Sequence, residues 1–264
     1  MASRTKQKEE ARARRLAEER ARAERARRDR RLRMVGGVVL IAVAIVVVLV
    51  AVSSGGGSTT TGLQKGKAQS QTVAGVQSLL NGIPQSGARL GNPKAPVTMI
   101  YYGDLECPFC QQFTLSGGFP QLVSNDVRSG KVQVVYRAFQ TATRDPTVFK
   151  TQQVAALAAG EQQRFWNFAE LFYHEQGQEG TSYATDAYLK GLAQQIPGLD
   201  MTKWQTERGN AALATQVGTD EQSGSSAGVQ GTPTLVFQGP KGKVAPSSSI
   251  PSYSDLEHAI KQVT

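Results

Sequence analysis

Cysteine and histidine are scarce in this chain, with two residues of each among 264. A Cys-x-x-Cys pair can supply half of a zinc site, but such a site needs two more ligands. His174 and His258 do not form a ligand-spaced pair, so we predict no metal site. Because Cys107 and Cys110 are so close in the chain, a disulfide between them would stabilise the fold little as a staple. Reversible thiol chemistry is therefore the best-supported use of the pair.

The excess of positive charge belongs to one end of the chain. The net charge is +9, and residues 4–33 hold fourteen of the 30 Lys and Arg residues but only six of the 21 Asp and Glu residues. The rest, with sixteen basic and fifteen acidic residues, is close to neutral. It also lacks the interleaved aromatic and basic pattern of proteins that read bases, which argues against nucleic acid as a partner.

One long apolar run without charge extends from Met34 to Val52. Its 19 residues reach the length that a membrane-spanning helix needs. The basic residues before it, ending with Arg31 and Arg33, favour an N-terminus in the cytoplasm and a remainder outside it. A cleaved signal peptide is the alternative, but its charged region would be unusually long and Ala51-Val52-Ser53 is only a passable cleavage site.

Composition divides the chain into four segments. We predict a basic cytoplasmic tail over 1–33, a transmembrane helix over 34–52, a flexible linker over 53–82 and a folded domain over 83–264. The linker is rich in Gly, Ser, Thr and Gln, with one short helix expected near Val73–Leu80. No dimerisation segment is evident, so we expect a monomer.

The cysteine pair follows a predicted strand and opens a predicted helix. Residues 97–102 (VTMIYY) are typical of a strand, and Pro108 suits the first turn of a helix that begins at Cys107. Unpaired N–H groups and the dipole at a helix N-terminus favour negative charge, so the pKa of the Cys107 thiol should fall below its free value of about 8.5. Cys110, one turn further in and more buried, would resolve a mixed disulfide formed at Cys107.

The remaining pattern predicts an α/β fold with an all-helical insertion over about 140–228. Around it we expect a strand over 131–138, a strand over 234–237, a returning strand at 243–244 and a closing helix over 255–263 with Ser254 as its N-cap. Trp166 lies in an aromatic stripe with the spacing of a core helix. We interpret Trp166, Trp204 and the two histidines as packing or surface residues.

Thr232 and Pro233 lie just before the late Val- and Phe-containing strand. Prolines are ordinary at strand starts, and only about 5–6 % of X–Pro bonds are cis. The sequence Gly-Thr-Pro-Thr becomes notable because the chain also holds a Cys-x-x-Cys pair. A cis bond would turn the backbone of Thr232 toward the sulfur atoms and leave it able to pair with an extended peptide.

Taken together, these motifs resemble the thioredoxin superfamily. The run GNPKAPVTMIYYGDLECPFCQQF, the segment RFWNFAELFYHEQ and the late GTPTLVF are similar to the DsbA-like thiol:disulfide interchange proteins of bacterial envelopes, over about residues 90–264. The resemblance implies a thioredoxin fold in which Cys107 is the nucleophile, Cys110 resolves, and Thr232 and Pro233 form the substrate-binding cis-proline loop. It implies no cofactor beyond the redox-active Cys107–Cys110 disulfide.

The same resemblance implies the partners. Anchored members introduce disulfides into reduced or unfolded secreted proteins, and a membrane quinone-linked thiol oxidase of the DsbB or VKOR type regenerates them. The sequence departs from the strongly oxidising members at Phe109, which follows Pro108 in the active-site dipeptide where those members have histidine. A cationic imidazole would stabilise the thiolate and Phe109 cannot, so we expect a higher pKa for Cys107 and a less oxidising couple.

Two acidic residues next to the cysteines have two interpretations. Asp104 and Glu106 could disfavour the thiolate by like charge or act in proton transfer, or they could be solvated loop residues. The function itself has three candidates. An extracytoplasmic dithiol oxidase comes first, a reductase or isomerase kept reduced by a membrane donor second, and a tethered chaperone without redox turnover third.

Overall fold

A mixed β-sheet forms the centre of the domain. The computed structural model describes residues 62–246 and 250–264. The strands within these ranges are β1 Gln85–Ser86, β2 Arg89–Leu90, β3 Val97–Gly103, β4 Val132–Ala138, β5 Thr234–Gly239 and β6 Gly242–Val244. Their order is β1-β2-β4-β3-β5-β6, with β3 and β4 parallel and the other neighbours antiparallel.

Helices cover the sheet and fill the chain between β4 and β5. They are α1 Gly66–Leu80, α2 Pro108–Ser116, α3 Phe119–Leu122, α4 Pro146–Gly160, α5 Phe165–His174, α6 Asp186–Gln194, α7 Met201–Glu207, α8 Ala211–Ser226 and α9 Tyr253–Val263. A π-helical turn, Val123–Val127, follows α3. The predicted α/β fold is confirmed, and α4 to α8 occupy the region predicted as a helical insertion.

Aromatic side chains make up much of the core beneath the sheet. Tyr101 of β3 packs edge-on against Phe113 of α2, and Trp166 of α5 stacks on Phe119 with ring centroids 5.3 Å apart. The buried indole of Trp166 donates a hydrogen bond to the Ala88 carbonyl at 3.2 Å, so its polar atom is satisfied. Trp166 and Trp204 are fully buried packing residues, as predicted.

The sheet topology brings three loops to one edge. β3 and β4 are parallel, and Gly103 is opposite Ala138, so the loops that follow these strands start side by side. β5 is antiparallel to β3 with Thr234 opposite Tyr102, which places the segment before β5 at the same edge. Glycine is needed at position 103, at the end of β3, because a Cβ there would lie 2.6 Å from the Tyr136 ring of β4.

Helix α1 corrects the expectation of a flexible linker with one short helix. The described part of that segment holds a 15-residue helix whose Val76 and Leu80 are buried in the core of the domain. The guanidinium of Arg128 donates hydrogen bonds to the carbonyls of Leu79 and Asn81, both at 2.7 Å. These bonds satisfy orphan carbonyls at the end of the helix, and they come from a residue far along the chain.

The start of the closing helix also differs from expectation. Ser252, not Ser254, is the N-cap of α9, because Ser252 and Asp255 form a reciprocal capping box.

The predicted cytoplasmic tail, the predicted transmembrane helix and the first part of the predicted linker lie outside the described residues. Among the residues that are described, no helix is both long and apolar enough to span a membrane.

Candidate active site

Cys107 is the N-cap of α2, and Pro108 is its first helical residue. The Cys107 N–H donates to the Asp104 carbonyl at 3.1 Å, and the Cys107 carbonyl accepts from the Gln111 N–H at 3.0 Å. Both cysteines are free thiols, with Cys107 3 % exposed and Cys110 0 % exposed. Cys107, the candidate nucleophile, is thus the outer of the two cysteines, and Cys110, the candidate resolving cysteine, is the inner one.

The loop before β5 lies against the outer sulfur. The Cys107 thiol donates a hydrogen bond to the Thr232 carbonyl at 3.2 Å, and the Thr232–Pro233 peptide bond is cis. A shallow groove of about 500 Å³ runs beside this loop, lined by residues 227–236 with Ala245 and Pro246. The structure therefore brings the Cys107 and Cys110 pair against Thr232 and Pro233, although 125 residues separate Cys107 from Thr232.

The two thiols differ in acidity. A hydrogen bond from the Cys110 thiol lowers the pKa of Cys107 to about 7, with further help from Thr232 and from the N–H groups of Phe109 and Cys110 against the opposing effect of burial. Burial raises the pKa of Cys110 well above its ordinary value, and its hydrogen bond and charge interaction with Cys107 raise it further. Cys107 is consequently the sulfur that ionises near neutral pH.

Phe109 projects from the dipeptide between the two cysteines. Its ring is 56 % exposed and is the one large hydrophobic side chain classed as exposed among the described residues. An exposed aromatic ring beside a reactive sulfur offers an apolar contact to an incoming polypeptide.

Asp104 is not a solvated loop residue, which corrects one of the two interpretations. It is fully buried. One carboxylate oxygen accepts the N–H groups of Thr141, Ala142 and Thr143, each at 2.9 Å. The other accepts the Thr143 hydroxyl at 2.6 Å and the Glu106 N–H at 3.0 Å. Asp104 therefore ties the cysteine loop to the loop after β4.

Glu106 is also buried, at 2 % exposure. The Gln152 side-chain amide donates to its carboxylate at 2.6 Å. Burial raises the pKa of Glu106, and the hydrogen bond from Gln152 lowers it by less than burial raises it. The solvated-loop interpretation fails here as well, because α4 covers this carboxyl.

Several residues of the site carry no signal in the sequence. The Gln176 side-chain amide, which follows α5, donates to the carbonyls of Leu105 at 2.7 Å and Cys107 at 3.3 Å. The Tyr101 hydroxyl donates to the Cys110 carbonyl at 3.3 Å, beneath the inner cysteine. Among the described residues, no group of three or more His, Cys, Asp or Glu side chains is placed to hold a metal ion.

A pair of thiols with such different acidity, placed at the edge of this sheet, can exchange electrons with a disulfide. The fold and the dithiol thus define a thiol–disulfide oxidoreductase of the thioredoxin-like, DsbA type. A family model described as thioredoxin matches residues 85–262. The match covers well over half of the chain, and the chain belongs to this family.

Known relatives agree with this class. The chain is 25 % identical over 178 residues to the probable disulfide bond formation protein D of Bacillus anthracis, covering 65 % of this chain and 75 % of that protein. It is 27 % identical over 156 residues to disulfide bond formation protein D of Bacillus subtilis strain 168, covering 55 % of this chain and 65 % of that protein.

A solved structure shows the same fold. Oxidised BdbD from Bacillus subtilis superposes with a TM-score of 0.57 at 20 % identity, covering 68 % of this chain and 97 % of that chain.

Proposed function

We propose that this protein is an extracytoplasmic dithiol oxidase that introduces disulfides into secreted or envelope proteins. The observation that carries the proposal is the geometry of the dithiol: Cys107 caps the N-terminus of α2 with its thiol against the Thr232 carbonyl, and Cys110 is fully buried behind it. Two relatives are named disulfide bond formation proteins, which supports this direction of exchange.

The reaction starts from the Cys107–Cys110 disulfide. A substrate thiolate attacks the Cys107 sulfur, a substrate–Cys107 disulfide forms, and the Cys107–Cys110 bond breaks. Cys110 leaves as a thiolate and takes up a proton, which its raised pKa favours. A second substrate thiolate then attacks the substrate sulfur and releases Cys107 as a thiolate. The substrate loses two electrons and two protons in all, and the dithiol gains the electrons.

The groove beside Thr232 and the exposed ring of Phe109 are the proposed substrate contacts. The backbone next to the groove suits pairing with an extended chain, and Phe109 suits an apolar side chain of a reduced or unfolded protein. We place the domain outside the cytoplasm, held by residues 34–52. A membrane quinone-linked thiol oxidase is the proposed acceptor of the electrons.

One observation favours a second candidate, a reductase or isomerase kept reduced by a membrane donor. A Cys107 pKa of about 7 is close to that of thioredoxin, whereas that of DsbA is about 3.5. A less stabilised thiolate makes the disulfide a weaker oxidant, and Phe109 supplies no cation to offset this.

The reduction potential of the full-length protein, equilibrated with glutathione in detergent and read by thiol alkylation, separates the two. A potential above about −180 mV identifies a disulfide donor, and one near about −270 mV identifies a reductase. Alkylation of intact cells gives the matching observation, since an oxidase is held mostly as the disulfide. Loss of exchange in Cys107→Ser tests the mechanism in either direction.

A further inference from the structure

Asp104 is a buried carboxylate held entirely by hydrogen bonds. In the described part of the chain it forms no salt bridge, yet five N–H or O–H donors converge on its two oxygens. Four of the five donors belong to residues 141–143. Charge-assisted bonds of this kind are short and strong, so Asp104 fixes that loop against the cysteine loop.

The fixed loop in turn reaches the residue that contacts the reactive sulfur. The Thr141 hydroxyl lies 2.5 Å from the Thr232 hydroxyl. The Thr232 carbonyl accepts the Cys107 thiol at 3.2 Å. The Thr232 side chain is also one of the hydrogen-bonding groups that lower the pKa of Cys107. Hydrogen bonds therefore link Asp104 to the 141–143 loop and that loop to the Thr232 hydroxyl, and Thr232 is the residue that contacts the Cys107 sulfur.

We propose that Asp104 and Thr141 are positioning residues for thiol exchange, and that they orient the Thr232 hydroxyl to donate a hydrogen bond to the Cys107 thiolate. The proposal rests on the proposed chemistry of Cys107. The proposal concerns only the reduced form of Cys107, so it does not depend on the direction in which electrons flow in the cell.

A thiolate needs hydrogen-bond donors. Once Cys107 ionises, it has no proton to give to the Thr232 carbonyl, and it must accept hydrogen bonds. The Thr232 hydroxyl can donate a hydrogen bond to the sulfur while it accepts one from the Thr141 hydroxyl. Such a chain polarises each hydroxyl in the same sense, which strengthens the bond to the sulfur. Without Thr141, the Thr232 side chain loses the partner that holds its rotamer.

Other titratable groups lie near Cys107, and their charges bear on the interpretation of its pKa. Cys110 lies on α2, and Asp104 and Glu106 precede Cys107 on its own loop. Glu221 of α8 interacts electrostatically with Asp104 and with Lys150 of α4. If Asp104 acted on Cys107 by like charge, its neutralisation would lower the pKa of Cys107. The positioning role predicts the opposite sign.

The test is the pH profile of Cys107 alkylation by iodoacetamide in the reduced, full-length protein. Thr141→Val keeps the size of the side chain but removes its hydroxyl, and we expect alkylation at about pH 6 to slow at least threefold because less thiolate is present. Thr141→Ser restores the hydroxyl and should restore the rate. Thr151→Val is the matched control, since the Thr151 hydroxyl, in the described part of the chain, bonds only to the Thr147 carbonyl of its own helix α4.

Asp104→Asn is the second variant, and it should likewise shift the pH profile of Cys107 alkylation to higher pH. The double variant with Thr141→Val should add little, because both residues act through one path. An unchanged or lowered Cys107 pKa in Thr141→Val overturns the proposal, even if Asp104→Asn fails to fold. A lowered pKa in a folded Asp104→Asn variant would assign Asp104 a like-charge effect instead.

Discussion

The Cys107 thiol and the Thr232 carbonyl are 3.2 Å apart, although 125 residues separate them in the chain. One belongs to the loop after β3 and the other to the loop before β5, two strands that are neighbours in the sheet. The reactive sulfur is thus held by the sheet as much as by its own helix. The pKa and the reactivity of Cys107 should therefore respond to substitutions in either loop.

The unequal acidity of the two thiols gives the first prediction. In the reduced protein, thiolate absorbance should rise with a midpoint near pH 7, and Cys107→Ala should remove this transition. Cys110→Ala removes the hydrogen bond that lowers the Cys107 pKa most, so the midpoint should move to higher pH. An unmoved midpoint in Cys110→Ala would show that the inner thiol does not stabilise the outer thiolate.

Phe109→His should make the couple more oxidising. The side chain is largely exposed, so the change should leave the fold intact while it places an imidazolium beside the thiolate. A tenfold shift toward the dithiol in equilibrium with glutathione corresponds to about 30 mV. We expect at least that rise, with Phe109→Leu as the control for loss of the ring. A potential that rises equally in Phe109→Leu would contradict the electrostatic explanation.

Glu170 predicts a pH dependence of stability remote from the dithiol. This carboxyl of α5 is 1 % exposed, one of its oxygens has no hydrogen-bond partner among the residues that the structure describes, and burial raises its pKa from 4.5 to about 8. Because the folded state favours the protonated form, the contribution of Glu170 to stability is fully present below pH 4.5 and is lost as the pH rises toward 8. Above about pH 8 Glu170 is ionised in the folded protein as well, so its contribution to stability stops changing with pH.

Glu170→Gln should remove this decline, because the amide is neutral throughout. The melting temperature of the variant should exceed that of the wild type by several degrees at about pH 8, with the difference shrinking toward about pH 5. Glu161→Gln, at an exposed position, is the control. A difference that is constant with pH would mean that Glu170 does not titrate between these values.

The docking of α1 is tested by one core substitution. Leu80 is 3 % exposed and lies at the end of that helix. Leu80→Ala should lower the free energy of unfolding by about 2–4 kcal/mol, as expected for a buried leucine. Gln77→Ala, on the exposed face of the same helix, should change it little. Equal, small effects from both would mean that the segment behaves as the linker that its composition suggests.

The dithiol could be predicted from the sequence because its determinants are local. Pro108 directly after Cys107 and an apolar strand before it are enough to place the sulfur at a helix N-terminus. The sequence underpredicts the length of helix α1 because its few apolar residues are diluted by Gly, Ser and Gln. The helix is stabilised by the burial of Val76 and Leu80 in the core and by Arg128, partners that no local pattern reveals.

The environment of the acidic residues could not be predicted for the same physical reason. Asp104 and Glu106 follow a strand and precede a helix, a position typical of solvated loops. Their burial depends on the 141–143 loop and on Gln152 of α4, which reach them only through the parallel pairing of β3 with β4. Thr141 has no distinguishing sequence signal, because its role depends on a contact with Thr232 across the sheet edge.

The placement of β5 has a consequence for biosynthesis. Cys107 and Cys110 are synthesised long before Thr232, and β5 is the strand that brings Thr232 to β3. A nascent chain that ends before β5 holds both thiols but lacks the carbonyl and hydroxyl groups that adjust their acidity. The two cysteines therefore acquire the part of their environment that Thr232 supplies only once β5 has paired with β3.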